Sequence, residues 1–261
     1  TINDGFIRWP QAETTRLNHY QTVLLDIARH WQANPTENVV VAEAFYEPID
    51  RDSLIRNLGS DPRARWVQTG DEVAGAVVIP VGGNGRFYVP EFAAVYPPLL
   101  VAAGIPTEPL FRSETQPSFA AYSLPEERPV PSTLLEEPVS FANAIKLEGY
   151  ELLPPVPGEM VHILTFWQVE DGLPADLRIF VHVIDETGNL VTQHDGFDAA
   201  PGELKAGDMI IQHHVIDLDG TVGSFELQVG MYTLRDQQRL QPVGFQRDIV
   251  VLTQMSFVDG K

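Results

Sequence analysis

FWQV (Phe166–Val169), LRIFVHVIDETGNLVTQHDG (Leu177–Gly196), AGDMIIQHHVIDL (Ala206–Leu218) and FELQVGMYTLRDQQRL (Phe225–Leu240) are four runs rich in β-branched and aromatic residues, all within Val161–Leu240. Clusters of Gly, Asp, Pro and Asn separate them at near-regular spacing, the pattern of consecutive antiparallel strands in a sandwich. In the second run Leu177, Ile179, Val181 and Val183 share one face, and Phe180, His182 and Ile184 share the other. Val161–Val169 is apolar on both faces, which predicts a covered central strand. Asp185-Glu186-Thr187-Gly188 reads as a hairpin turn, Pro201–Asp208 and Asp219-Gly220 as further connections, and Ile249–Met255 as a last strand.

Working outward, Val139–Leu147 opens this unit, followed by a bulge or turn at Gly149-Tyr150-Glu151 and a loop at Pro154–Gly158. About eight strands with Gly-bearing turns predict an antiparallel β-sandwich over residues 139–261, jelly-roll or immunoglobulin-like. Prolines 106, 109, 117, 125, 129, 131 and 138 break the chain before it, so residues 118–138 read as a proline-rich connection. One apolar island there, Ser118–Leu124, has the composition of a strand of either unit.

Residues 1–117 read as a small α/β domain, making the fold class α+β with two domains. Leu17, Tyr20, Leu24, Ile27, Ala28 and Trp31 recur at helical spacing over Gln11–Gln32, and Asn34-Pro35 ends the helix. Asn38–Tyr46, Arg65–Gln68, Ala74–Ile79 and Arg86–Val89 read as strands, with a short helix near Ser53–Leu58 after Asp50 and Asp52 as N-caps. Gly82-Gly83-Asn84-Gly85 lacks the Lys-Ser/Thr of a phosphate loop and reads as a hairpin turn; Pro97–Ala103 reads as a further short helix.

With 36 acidic and 17 basic residues the chain carries a formal charge of −19, which repels phosphate backbones and anionic lipid headgroups. Nucleic acid and direct contact with anionic membrane are therefore not expected partners. No cysteine is present, so disulfides, thiolate metal sites and cysteine nucleophiles are excluded. No apolar run reaches the length of a membrane span, and Thr1 in place of Met predicts a piece of a longer chain.

The polar residues with chemical potential are His182, His194, Asp195, Asp198, His213 and His214. Histidines and carboxylates on neighbouring strands suit a jelly-roll metal centre, yet His213 and His214 are adjacent and must point to opposite sheet faces. Asp217-Leu218-Asp219-Gly220 opens like a calcium loop but lacks its downstream glutamate and reads as a turn. No Gly-x-Ser-x-Gly elbow occurs, and the paired glutamates 126–127 and 136–137 lie in the proline-rich connection as solvated charge. No catalytic residue, metal ligand set or cofactor is assigned. The ligand-contact candidates are His182, His194, Asp195 and His213, with Trp167 and Tyr150 as rings able to stack on a sugar.

Phe141–Leu152 (FANAIKLEGYEL), Phe166-Trp167-Gln168, Phe180-Val181-His182, Gly188-Asn189-Leu190, Gln193–Gly196, Gly207-Asp208 and Val229–Tyr232 with Arg239-Leu240 carry a family resemblance. Together they cover most of Ser140–Leu240. The chain resembles the C-terminal extracytoplasmic region of bacterial, Chloroflexi-type membrane glycosyltransferases of the dolichyl-phosphate-mannose-protein mannosyltransferase-like class. Val77–Pro80 and Phe119–Leu124 carry a weaker likeness to the stretch after the last membrane helix of such proteins. The resemblance implies that transfer chemistry sits in a membrane portion of the same polypeptide. It further implies a non-catalytic accessory domain on the extracytoplasmic face that positions or recognises glycan or acceptor. Two other readings compete: a purely structural or protein-interaction module, and a metal-dependent enzyme built on His182, His194 and His213 or His214.

Overall fold

A computed structural model describes residues 21–43, 47–59, 63–69, 75–93, 95–153, 160–218 and 223–257. The protein is mostly β, with three antiparallel-rich sheets and few helices. A mixed sheet has the order β2 (Arg65–Val67), β1 (Asn38–Ala42), β4 (Gly85–Pro90), β6 (Phe119–Leu124), β5 (Phe111–Arg112). A central sheet runs β3 (Gly75–Ile79), β12 (Met209–Ile216), β9 (Val161–Val169), β8 (Ile145–Leu152), β7 (Thr133–Phe141). An outer sheet runs β11 (Leu190–Gly196), β10 (Leu177–Asp185), β13 (Gly223–Thr233), β14 (Ile249–Phe257).

The expected alternation holds along β10: Leu177, Ile179, Val181 and Val183 are buried and join the main core, facing the central sheet. Strand β9 is covered on both faces because the central sheet is the middle layer. Its Ile163 and Trp167 alternate with Leu164 and Phe166, and all four belong to one core with β10, β13 and the mixed sheet. Antiparallel pairs β8·β9, β9·β12, β10·β13 and β13·β14 build the two sheets, and the chain crosses between them after β9, β11 and β12.

Helix α1 (Gln21–Ala33) and helix α2 (Glu47–Leu58) cover the far face of the mixed sheet. Leu24, Ile27, Ala28 and Trp31 form the buried stripe of α1, against Val39, Val41 and Trp66, while Val40 and Ala42 point the other way into the main core. Expected helical residues Leu17 and Tyr20 lie outside the described residues, as do the loop Pro154–Gly158 and the turn at Asp219-Gly220. Helix α2 starts at Glu47, so Asp50 and Asp52 are inside it and not its caps. Helix α3 (Pro97–Ala102) has Pro at its start and Gly104 at φ 66° just beyond, as the sequence predicts.

Strand β3 departs from expectation. Gly75–Ile79, read as a strand of the first unit, pairs antiparallel with β12, Ile79 opposite Met209 and Gly75 opposite His213. Gly82-Gly83-Asn84-Gly85 is therefore not a hairpin turn, because β3 and β4 lie in different sheets. Three consecutive left-handed residues, Gly82, Gly83 and Asn84, carry the chain from one to the other. A Cβ on Gly83 would meet the Pro125 and Glu126 carbonyl oxygens at 2.7 and 2.5 Å. Within residues 118–138, β6 completes the mixed sheet against β4 and β7 begins the central one.

A buried ion pair ties these layers together. Arg65 Nε donates to Asp208 Oδ2 at 3.0 Å and Nη2 to Oδ1 at 2.9 Å, the two residues being 143 apart in sequence. Asp208 also accepts from the backbone N–H of Val81 (2.8 Å) and Lys205 (2.9 Å), and Asn38 Oδ1 accepts from Arg65 Nη1 at 3.3 Å. A bidentate pair with its remaining lone pairs filled is the geometry that offsets the cost of burying both charges.

Candidate functional site

The sequence candidates separate into three places. Trp167 and Tyr150 are 0% and 7% exposed, so neither ring has a face for a sugar. Trp167 packs edge-on to Phe141 with centroids 5.6 Å apart and donates Nε1–H to Thr165 Oγ1 at 2.8 Å. Both are core residues, which corrects their reading as ligand contacts.

His213 faces the mixed-sheet side of the central sheet. Its Nε2 lies 2.9 Å from His162 Nδ1, and both imidazoles lie flat under Tyr96, at 4.5 Å (4°) for His213 and 5.0 Å (17°) for His162. Burial, with His162 and His194 adding to it, lowers the His213 imidazole to about 3. Its Nδ1 is buried with no hydrogen-bond partner among the described residues.

His214 points between the sheets. The Thr165 hydroxyl accepts from Trp167 Nε1–H and lies 3.0 Å from His214 Nε2 and 3.4 Å from the Gln212 carbonyl. His214 Nδ1 is 3.1 Å from His194 Nδ1. Trp167, Thr165, His214 and His194 thus form one hydrogen-bonded chain. Asp198 beside this chain is pushed up by burial and accepts from Gln212 Nε2 at 2.5 Å.

His182 lies on the opposite, outward face of the outer sheet, so His182, His194 and His213 occupy three separate environments. Among the described residues no group of three or more His, Asp or Glu side chains has the arrangement to hold a metal ion. Period-two alternation is the reason these histidines do not converge: it sends neighbours on one strand to different layers.

The outward face of the outer sheet is where polar side chains collect. Registers across β11, β10, β13 and β14 place Gln193, His182, Gln228 and Val251 in one row and Ile184, Glu226 and Gln254 in the next. At the upper end of the same face Arg239 sits 4.7 Å over the Phe180 ring and pairs with Asp248 at 3.0 Å. The Tyr232 hydroxyl donates to Asp195 at 2.9 Å. Gly230 makes room for this packing, since a Cβ there would overlap the Phe180 ring and approach the Asp248 carbonyl at 2.9 Å. Burial lowers the His182 imidazole; Asp195 works against that and Arg239 adds to it.

The second row floors a groove of about 710 Å³, walled by the β10–β11 turn and by Arg247. That volume is within the ~300–1,000 Å³ range of small-molecule sites. Gln228 Nε2 donates to Glu226 Oε1 at 2.6 Å, and both side chains line the groove with further donor and acceptor capacity. Of the sequence candidates, His182 is one row from this groove and Asp195 further along the same face. The floor residues Glu226, Gln228 and Gln254 were missed, although the alternation of FELQVGMY (Phe225–Tyr232) already puts Glu226 and Gln228 opposite the apolar face. Arg247 has no such signal, since it comes from a loop.

No protein-family model and no curated protein matches the chain.

Proposed function

We propose that the chain is a non-catalytic accessory domain of a membrane glycosyltransferase, placed on the extracytoplasmic face and using the outer-sheet groove to recognise or position glycan or acceptor. On this reading residues 1–117 are a small α/β domain, residues 118–138 a connection and residues 139–261 a jelly-roll or immunoglobulin-like sandwich to which β3 adds a strand, and the partner is the membrane portion of the same polypeptide. The groove is the observation that carries it: about 710 Å³, floored by in-register amide and carboxylate side chains beside Ile184. Planar amides offer a donor and an acceptor side by side, the pattern that adjacent hydroxyls also present, and an aliphatic side chain covers the C–H face of a sugar ring. The family resemblance over Ser140–Leu240 adds support, and no described helix is long and apolar enough to cross a membrane. Calorimetric titration with a panel of oligosaccharides is the test: saturable binding is expected, and a panel without a single binder removes the recognition role.

A protein-interaction module is the second reading, favoured by a different surface. Pro97, Pro98, Val101, Val130 and Leu153 line an apolar cleft of about 480 Å³ in which Val101 and Val130 are 65% and 69% exposed. Val101→Asp, on an exposed helix face, leaves sugar binding unchanged and abolishes partner capture if this reading is the right one.

A further inference from the structure

The charges around the groove narrow what it can take. Asp185, Glu186 and Glu226 line it against the single guanidinium of Arg247. Asp185 is held ionised in its turn, where Oδ1 accepts from the N–H groups of Thr187 (2.8 Å) and Asn189 (2.9 Å) and from the Thr187 hydroxyl (2.7 Å). The whole chain at −19 adds to this negative potential. A ligand bearing carboxylates or phosphates would meet this potential at close range. A neutral ligand would meet only the hydrogen-bonding groups.

Shape adds a direction. Glu226 is the cross-strand partner of Ile184 on one side and of Gln254 on the other, so the floor runs across β10, β13 and β14 and not along any one of them. Three strands span about 10 Å at ~4.8 Å spacing, longer than one pyranose ring, and the row ends at β14, an edge strand. Ser224, hydrogen-bonded at 3.2 Å to Ser256 on that edge strand, extends the polar surface beside the row.

We infer that the groove binds an extended, uncharged oligosaccharide lying across the strands and rejects uronate-bearing and phosphorylated or sulfated chains. The inference rests on the glycan reading above and adds ligand charge, minimum length and orientation to it. Gln228 and Gln254 hold the chain, Ile184 covers one ring, and Glu226 contributes both a hydrogen-bond acceptor and the charge that turns anions away.

The experiment titrates the full chain with mannotriose, cellotriose and chitotriose, with the corresponding methyl monosaccharides, and with trigalacturonate, at low and at physiological salt. At least one neutral trisaccharide is expected to bind about tenfold or more tightly than its monosaccharide and than trigalacturonate. Gln254→Ala, at an exposed edge position, and Gln228→Ala are each expected to weaken that binding with the thermal midpoint unchanged. Glu226→Gln keeps the shape and is expected to raise trigalacturonate affinity, most at low salt. Trigalacturonate binding as well as or better than the neutral chains overturns the inference while the glycan reading stands. Neutral binding indifferent to both glutamine variants places the sugar elsewhere and overturns it too. Absence of binding by every saccharide removes the glycan reading itself, and the inference with it.

Discussion

Asp208 is fully buried and accepts hydrogen bonds from Arg65 and from the backbone of Val81 and Lys205, which come from three separate parts of the chain. Removing one member of such a pair leaves the other charge stranded. Asp208→Ala is expected to cost about 3–5 kcal/mol in urea unfolding, and the double variant Arg65→Met with Asp208→Leu less than the sum of the two single losses. Protonation acts on the histidines in a comparable way. Burial is the leading cause holding His182, His194, His213 and His214 below the ordinary imidazole value of 6.5. An unfolded chain takes up protons near 6.5, but folded His213 does so only near 3, so stability falls with pH across that window. His213 alone accounts for about 2 kcal/mol by pH 5. Asp198, pushed upward by burial, acts in the opposite sense nearer the carboxylate range. Urea midpoints at pH 7.5 and 5 measure the fall, and His213→Phe, which keeps a flat ring under Tyr96, is expected to make it shallower. The sequence shows that His213 and His214 must diverge, because that follows from strand geometry alone. It does not show that Tyr96 or His194 would meet them, because those contacts depend on how distant strands are layered.

Elements read well from sequence wherever their signal is local. Alternation marks β10 and β13, three-four spacing marks α1, and Pro97 with Gly104 brackets α3. Pairing is a different matter. GAVVI (Gly75–Ile79) is apolar throughout, which says buried strand without saying in which sheet, and the turn after it looks like any hairpin turn. Only the observed partner, β12, places it in the central sheet. A chain beginning at Val139 would leave the β12 edge bare over Met209–His213, five residues that are all buried in the protein. Such a fragment is expected to aggregate on size-exclusion chromatography under conditions where the full chain elutes as a defined species. On the groove face, Gly230→Ala drives a methyl group into the Phe180 ring and is expected to destabilise by about 1–3 kcal/mol. Added Phe180→Ala should relieve the overlap at the cost of the Arg239 stack, a coupling that a double-mutant cycle reads directly.

At the scale of the whole molecule, the layers are helices, mixed sheet, central sheet and outer sheet, and a single apolar core extends from Val40 and Phe87 in the mixed sheet to Val229 and Met231 in the outer one. Together with the Arg65–Asp208 pair this predicts one cooperative unfolding transition. Calorimetry and the fluorescence of Trp31, Trp66 and Trp167, which sample different layers, are expected to report the same midpoint; two resolved steps would instead describe units that fold separately. The polar groove residues Glu226, Gln228 and Gln254 lie on the outward face of the outermost layer, outside that core, so they can be exchanged with little effect on the transition. Strand β3 also fixes a timetable. On the ribosome the nascent segment that will become the edge of the central sheet leaves the exit tunnel with its partner still untranslated. Arg65 waits for Asp208, 143 residues later, on the order of ten seconds at about 5–20 residues per second. Until then the first half carries an unpaired apolar strand and a guanidinium that has Asn38 but not yet its carboxylate partner.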